Sequence, residues 1–298
     1  MEVLDQIKDV RSIFKNWLTL GLKMKLGKSD KFRVVLESGQ EYMLWRNQVH
    51  ALIQFVKKGV PLDETLRDLL QDRVPYRGYS LIVHGWIREG NINNGNIFDV
   101  FINEDYKFLK VKNRVVIDIG ASIGDSSIYF AFNGATRVIG LEPYPYSFNL
   151  AVRNVKENNM DEKILLLNAG YGQDGEVLVD DNLESNDTME LRPSEKGRKV
   201  KIYSLKNLIE KFDLSTAILK MDCEGCEYDL LKEENSTLAI FSQMQIEYHY
   251  GPEKLVSKLE TAGFTVKFTE PKKSYNPYVQ NHNMESGYIY AEKQQENR

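Results

Sequence analysis

Val115-Val-Ile-Asp118-Ile-Gly120-Ala-Ser122-Ile-Gly124-Asp125 is the stretch on which the reading of this chain turns. Its first five residues are mostly apolar and β-branched, which predicts a short buried strand. The glycines that follow predict a turn whose backbone can approach a ligand more closely than a side chain would allow. A helix is expected next, over 126–132. Outward from this stretch the pattern keeps alternating. Arg137–Leu141 reads as a second strand, and Phe148, Ala151, Val152 and Val155 then fall on one helical face. Further strands are expected at 163–167, Ala217–Met221, 243–248, 265–268 and 288–291, with a polar insertion between 171 and 199 that holds a short hairpin at 176–180. Strands separated by helices imply a mostly parallel α/β sheet covered on both faces. Such sheets bind ligands beyond the carboxyl ends of their strands, so the strand ends are where functional residues are sought.

A glycine pair alone is weak evidence, since a bare structural turn has the same look. Its context is Glu142, which closes the second strand 18 residues after Gly124. An acid there can accept hydrogen bonds from ribose hydroxyls. Nicotinamide dinucleotides and S-adenosylmethionine both carry such a ribose. The dinucleotide fingerprint is G-x-G-x-x-G, whereas this turn is G-x-x-x-G, with Asp118 before it and Asp125 directly after it. Two carboxylates beside a pyrophosphate repel it by on the order of 1 kcal/mol or more per close pair. S-adenosylmethionine has no phosphate and carries a sulfonium and an ammonium, which suit an acidic turn. A methyl donor is therefore the expected cofactor, and a nicotinamide-dependent oxidoreductase is the rival.

A second acidic cluster, Asp222-Cys223-Glu224-Gly225-Cys226-Glu227, follows the strand Ala217–Met221. Acids on a surface helix are usually a solvated face. These stand at the edge where Asp118 and Glu142 also end their strands. Asp222 is placed to contact a methionyl ammonium or an acceptor hydroxyl, and Glu224 and Glu227 to orient the acceptor or serve as a base. No metal is expected, because nothing at fixed ligand spacing demands one. The next strand ends Glu247-Tyr248-His249-Tyr250. His249 is a candidate base because its unperturbed pKa lies near neutrality, although a lone histidine is more often structural. Cys223 and Cys226 are the chain's two cysteines. A redox pair or half a zinc site would fit C-x-x-C. The neighbouring acids disfavour thiolates, so the pair reads as two small side chains flanking a glycine turn.

Together these segments resemble the FkbM family of S-adenosylmethionine-dependent methyltransferases, over about residues 96–270. The likeness is strongest in DIGASIGDSS (118–127), GLEPYPYSF (140–148) and KMDCEGCEYDLL (220–231). The resemblance implies the class I methyltransferase, Rossmann-like fold, a seven-stranded sheet with an antiparallel last strand, and methylation of hydroxyl oxygens on sugars, glycans or secondary metabolites. It assigns Asp118, Gly120 and Gly124 to the methionine side of the cofactor, with Ser122 where Asn is common. It gives Glu142 the ribose, puts Asn168 near the adenine, and matches Asp222, Glu224, Gly225 and Glu227 to the family's second signature. A non-catalytic member that keeps the fold as an interaction module is the remaining alternative, against which the paired cofactor signatures speak.

Composition sets the outer limits. The chain has 298 residues, 42% hydrophobic and 28% charged, which excludes a wholly disordered chain. Its net charge of -4 offers no bulk basic charge for gripping nucleic acid. The longest uncharged run, 235–246, is too short to span a membrane, and MEVLDQIKDVRS lacks the layout of a signal peptide. A cytoplasmic enzyme with a small-molecule or glycan acceptor is expected, its oligomeric state open. Residues 1–95 read as a separate, smaller α+β region, with a helix within 5–25, two strands around a Ser-Gly turn in 33–44, helices near 45–58 and 62–73, and a loop at 90–96. The methyltransferase domain would then be 96–298. Trp17, Trp45 and Trp86 all fall in the first region. They would either cap the sheet edge and touch the acceptor or form a small core or dimer surface.

Overall fold

The computed structural model describes residues 10–26, 30–86, 97–180, 191, 193–275 and 283–293. The chain folds as two compact units, residues 1–104 and 105–298. The boundary expected at 95/96 and the loop expected at 90–96 lie outside the described residues.

In the first unit, helix α1 (Trp17–Leu26) precedes an antiparallel hairpin of β1 (Lys31–Val35) and β2 (Glu41–Trp45). Helices α2 (Arg46–Lys57) and α3 (Leu62–Leu69) follow, then a second hairpin of β3 (Arg73–Tyr76) and β4 (Tyr79–Ile82). This second hairpin takes the place of the end of the helix expected over 62–73. Pro75 cannot continue a helix. Arg77 and Gly78 both adopt positive φ, at 49° and 80°, which lets a two-residue turn match the strand twist. Phe14, Val34, Leu52 and Leu69 are buried, and Trp86, 2% exposed, joins them as a core residue of this unit. Trp17 and Trp45 are half-buried, and the Lys31 ammonium lies 3.9 Å from the centre of the Trp45 ring.

The second unit is built on one sheet. Its strands are β5 (Val115–Ile119), β6 (Arg137–Leu141), β7 (Ile164–Leu167), β11 (Ala217–Met221), β12 (Phe241–Tyr248), β13 (Phe264–Phe268) and β15 (Asn283–Lys293), with β14 (Lys272–Tyr275) paired onto β15. The order across the sheet is β13-β15-β12-β11-β5-β6-β7. All pairings among β7, β6, β5, β11 and β12 are parallel, and β15 runs antiparallel to both β12 and β13. This is the seven-strand arrangement with a reversed last strand that the family resemblance implies, the doubly wound α/β fold of class I methyltransferases. Every strand expected from the alternating pattern is present among the described residues.

Between β7 and β11 the polar insertion forms its own small sheet. There β8 (Ala169–Tyr171) runs parallel to β10 (Arg198–Tyr203), and β9 (Gly175–Val179) lies antiparallel to it. The hairpin expected at 176–180 is thus one strand, β9, whose partner is β10. The intervening residues 181–190 and 192 lie outside the described residues. Helices α4 (Asp125–Phe132), α5 (Pro145–Glu157), α6 (Leu205–Phe212), α7 (Asn235–Leu238) and α8 (Glu253–Thr261) complete the unit. The core on one sheet face joins Ile117, Ile119, Leu219, Met221 and Ile246 to Leu205, Leu208, Leu255 and Leu259 from α6 and α8. No helix among the described residues is long and apolar enough to cross a membrane.

The chain winds one way from β5 to β6 and β7, and the other way to β11 and β12. The strand order therefore reverses between β5 and β11, and the crevice of such a sheet opens there. At that point Gly120 has φ +77°, and a β-carbon on it would stand 1.7 Å from the Asp222 carbonyl oxygen. The two loops cross only because a hydrogen stands where a methyl would. Gly120→Ala should therefore force them apart and destabilise the protein by on the order of 3 kcal/mol. Urea unfolding measures it, and an unchanged midpoint would contradict the close crossing.

Candidate functional site

Asp118 is the penultimate residue of β5 and is fully buried. One carboxylate oxygen accepts from the Ser126 hydroxyl at 2.7 Å and from the Ser127 hydroxyl at 2.6 Å, both on the first turn of α4. The other lies 3.2 Å from the Lys220 ammonium, itself 2% exposed. Lys220 also donates to the Gly120 carbonyl at 2.7 Å, and its charge sits 5.5 Å from the centre of the Tyr106 ring. Burial alone would lower the pKa of Lys220, but Asp118, with Asp222 and Asp125, raises it instead. Asp118 thus serves the site from beneath, tying the glycine turn to α4 and β11, rather than presenting an open oxygen to a cofactor as expected. The reason is the lysine in the middle of the AILKM strand, a residue the sequence reading passed over. A charge in an otherwise apolar run was the signal.

Glu142 ends β6 at 6% exposure. Its oxygens accept from the Ser122 backbone N–H at 3.0 Å and the Tyr144 backbone N–H at 2.9 Å. Ser122 therefore joins the site through its main chain, at φ +46°. Burial pushes the Glu142 carboxyl up to about 8, against the two N–H donors and Lys220, which pull it down. Asn168, just past β7, donates to the carbonyls of Glu142 and Pro143 at 3.0 and 2.9 Å. It holds the turn that carries Glu142. Asp125 is buried in the first turn of α4, directly after Gly124, whose φ is +84°.

The second signature forms a tight loop after β11. The Asp222 N–H donates to the Ile119 carbonyl at 3.1 Å. Glu224 and Gly225 both have positive φ, 57° and 119°, and this reversal brings the Cys223 and Cys226 α-carbons to 5.5 Å. The two sulfurs are joined in a disulfide, so the pair is a covalent clasp and not merely two small side chains. Glu227, expected as a base or acceptor contact, is fully buried. It accepts from the Gly225 N–H at 2.8 Å, the His249 N–H at 3.0 Å and His249 Nδ1 at 2.9 Å. Its place is behind His249, whose ring it orients. His249 Nε2 faces a Glu224 oxygen at 3.3 Å. Burial opposes charge on the ring, but Glu227, Glu224 and Glu247 outweigh it and raise its pKa well above the ordinary value. The carboxylates around the ring thus favour its protonated form over the free base its unperturbed value suggests.

Glu247, quoted in the sequence but given no role there, follows Ile246, the partner of Met221, and so stands beside Asp222 at the sheet edge. Burial, then Asp222, pushes its carboxyl up to about 8. The structure thus brings Asp118, Gly120, Ser122, Gly124, Asp125, Glu142 and Asn168 to one side of the switch point. Asp222, Glu224, Glu227 and His249 gather on the other. The arrangement can hold a cationic ligand near one carboxylate group and move a proton at the other.

A group raised from 4.5 to about 8 binds a proton in the folded state that the unfolded chain has lost. Its contribution to stability is full below the unfolded value and is lost as pH rises toward 8, by on the order of a few kcal/mol. In the ligand-free protein, the stability advantage of wild type over Glu142→Gln should therefore shrink steadily from about pH 4.5 to 8. Thermal unfolding across pH tests this. Parallel curves for the two proteins would refute it.

The model of the methyltransferase FkbM domain matches residues 118–270. A 51-residue stretch, 17% of this chain, is 41% identical to a Methanocaldococcus jannaschii protein named "Putative protein N5-glutamine methyltransferase", and it covers about a quarter (26%) of that protein's length. Among solved structures, the M. jannaschii TYW2 protein in complex with AdoMet is similar at 16% identity and a TM-score of 0.38, covering 74% of this chain and 86% of that one. An rRNA methylase from Streptococcus thermophilus is similar at 14% identity and a TM-score of 0.39, covering 66% and 96%.

Proposed function

Since the chain belongs to the FkbM methyltransferase family, we propose that it binds S-adenosylmethionine between β5 and β11 and methylates a hydroxyl oxygen of a sugar, glycan or secondary metabolite. The observation that carries this reading is the donor set at the switch point. Glu142 closes β6 there as a nearly buried carboxyl group, Asp125 and Asp222 lie on either side, and the turn after β5 is G-x-x-x-G rather than the phosphate-binding G-x-G-x-x-G. That set suits a cation and a ribose and disfavours a pyrophosphate. When bound, S-adenosylmethionine supplies an electrophilic methyl group on a sulfonium.

The chain's own residues divide the remaining work. Glu142 accepts from the ribose hydroxyls while Ser122 and Tyr144 hold its oxygens in place. The Gly120–Gly124 turn lets the backbone approach the methionine part. Asp222 neutralises the ammonium or meets the acceptor hydroxyl. The proton that the acceptor gives up passes to a side chain of this corner, Asp222, Glu224 or His249. Positioning of the two reactants supplies most of the rate, roughly 7–11 kcal/mol at best, and the base adds about 10²–10⁴-fold.

Calorimetric titration of the full chain with S-adenosylmethionine, S-adenosylhomocysteine and NAD tests the reading. The first two should bind and the third should not. Glu142→Ala should weaken binding of the methyl donor by roughly tenfold or more, the worth of a charged hydrogen bond. Asp222→Asn should cut turnover more than donor affinity. Preference for NAD would overturn the reading. Equal loss of donor affinity in both variants would overturn the division of roles.

A further inference from the structure

We propose that Asp222, Glu224 and His249 form a binding site for one divalent transition-metal ion. This deepens the methyl-transfer reading and rests on it for its purpose, though not for its test. One ligand atom from each residue, two carboxylate oxygens and a ring nitrogen, lies within 4.8 Å of the others. They come from two elements, the loop after β11 and the end of β12, which the parallel pairing of Met221 with Ile246 brings side by side.

The histidine is built as a ligand. Its ring is 2% exposed, and Nδ1 is fixed at 2.9 Å to Glu227, a fully buried carboxylate that also holds the His249 and Gly225 backbone N–H groups. Nε2 is thereby turned toward Glu224 and Asp222 and cannot swing away. A carboxylate behind the far nitrogen is the usual outer support of a metal-bound histidine.

Charge points the same way. Glu227 and Glu224 each face one nitrogen of the ring, at 2.9 and 3.3 Å. Asp222 adds a third carboxyl group to this corner, and Glu247 stands beside it. Lys220 is already engaged by Asp118. Negative groups crowded at a partly buried edge are costly until more positive charge arrives. Two oxygens and one imidazole suit Mn²⁺, Fe²⁺, Co²⁺ or Zn²⁺, and three protein ligands leave positions open. An acceptor hydroxyl taking one of them would be oriented and would lose its proton more readily.

The test needs neither acceptor nor methyl donor. Untagged full-length protein is titrated with Co²⁺, followed by its visible absorption and by metal analysis after desalting. One Co²⁺ per chain is expected, with affinity at least ~10-fold weaker in Asp222→Asn and in Glu224→Gln. Both positions are half-buried, so these variants carry the test if His249→Gln fails to fold. Glu227→Gln should alter the absorption spectrum, because it changes the support of the ring. Absence of saturable binding at millimolar Co²⁺, or equal affinity in wild type and both carboxylate variants, would overturn the proposal and leave the His249 ion pairs as the complete structure. Neither result touches the calorimetry with S-adenosylmethionine, so the two readings fail separately.

Discussion

A charged pair, Asp118 with Lys220, is buried in the middle of the sheet, and the site is assembled around it. In the register, Gly140, Asp118, Lys220, Gln245 and Tyr290 form one row across five strands. Ions in such a place are tolerated only when the remaining hydrogen-bonding capacity is also met. Here two serines of α4 meet it on the acid, and the Gly120 carbonyl meets it on the lysine. The row also explains Gly140, where a β-carbon would come within 2.9 Å of the Ser127 hydroxyl. The glycine leaves room for the serine that satisfies Asp118. One electrostatic requirement thus fixes a helix start, a glycine turn and the spacing of β5 from β11.

Glu142 follows a different logic. Its carboxyl is nearly buried, and two backbone N–H groups do not offset the desolvation. On the proposed reading, a ribose that brings hydroxyl donors offsets that cost. Functional sites are where this kind of local conflict is expected. Asn168 shows how the conflict is contained, since its amide ties down both carbonyls of the turn that presents the acid.

Much of this was legible in the sequence, because period and punctuation are local. The β-branched run ending at Gly120, the helical spacing from Phe148 to Val155, and the acids at successive strand ends all placed themselves. Pairings across long separations did not. Lys220 reads as one charge in a strand until β5 is beside it. Glu227 reads as another exposed acid until the loop folds it under His249. The hairpin at Arg73–Ile82 was missed because Arg-Gly is a weaker turn signal than Asn-Gly. C-x-x-C told nothing of its linkage, which depends on two successive positive-φ residues curling the chain back on itself.

That clasp sets the loop apart from the rest of the molecule. Cys223 and Cys226 are the only cysteines in the chain, and the ring they close encircles Glu224 and Gly225. Thiol–disulfide exchange requires an attacking thiolate, and no third sulfhydryl exists within the protein to supply one. Nothing the chain does by itself can therefore open or reshuffle the bond. The covalent state of the segment that carries Glu224 is decided by the thiols dissolved around the protein, and two samples of identical sequence and fold can differ there by two hydrogen atoms.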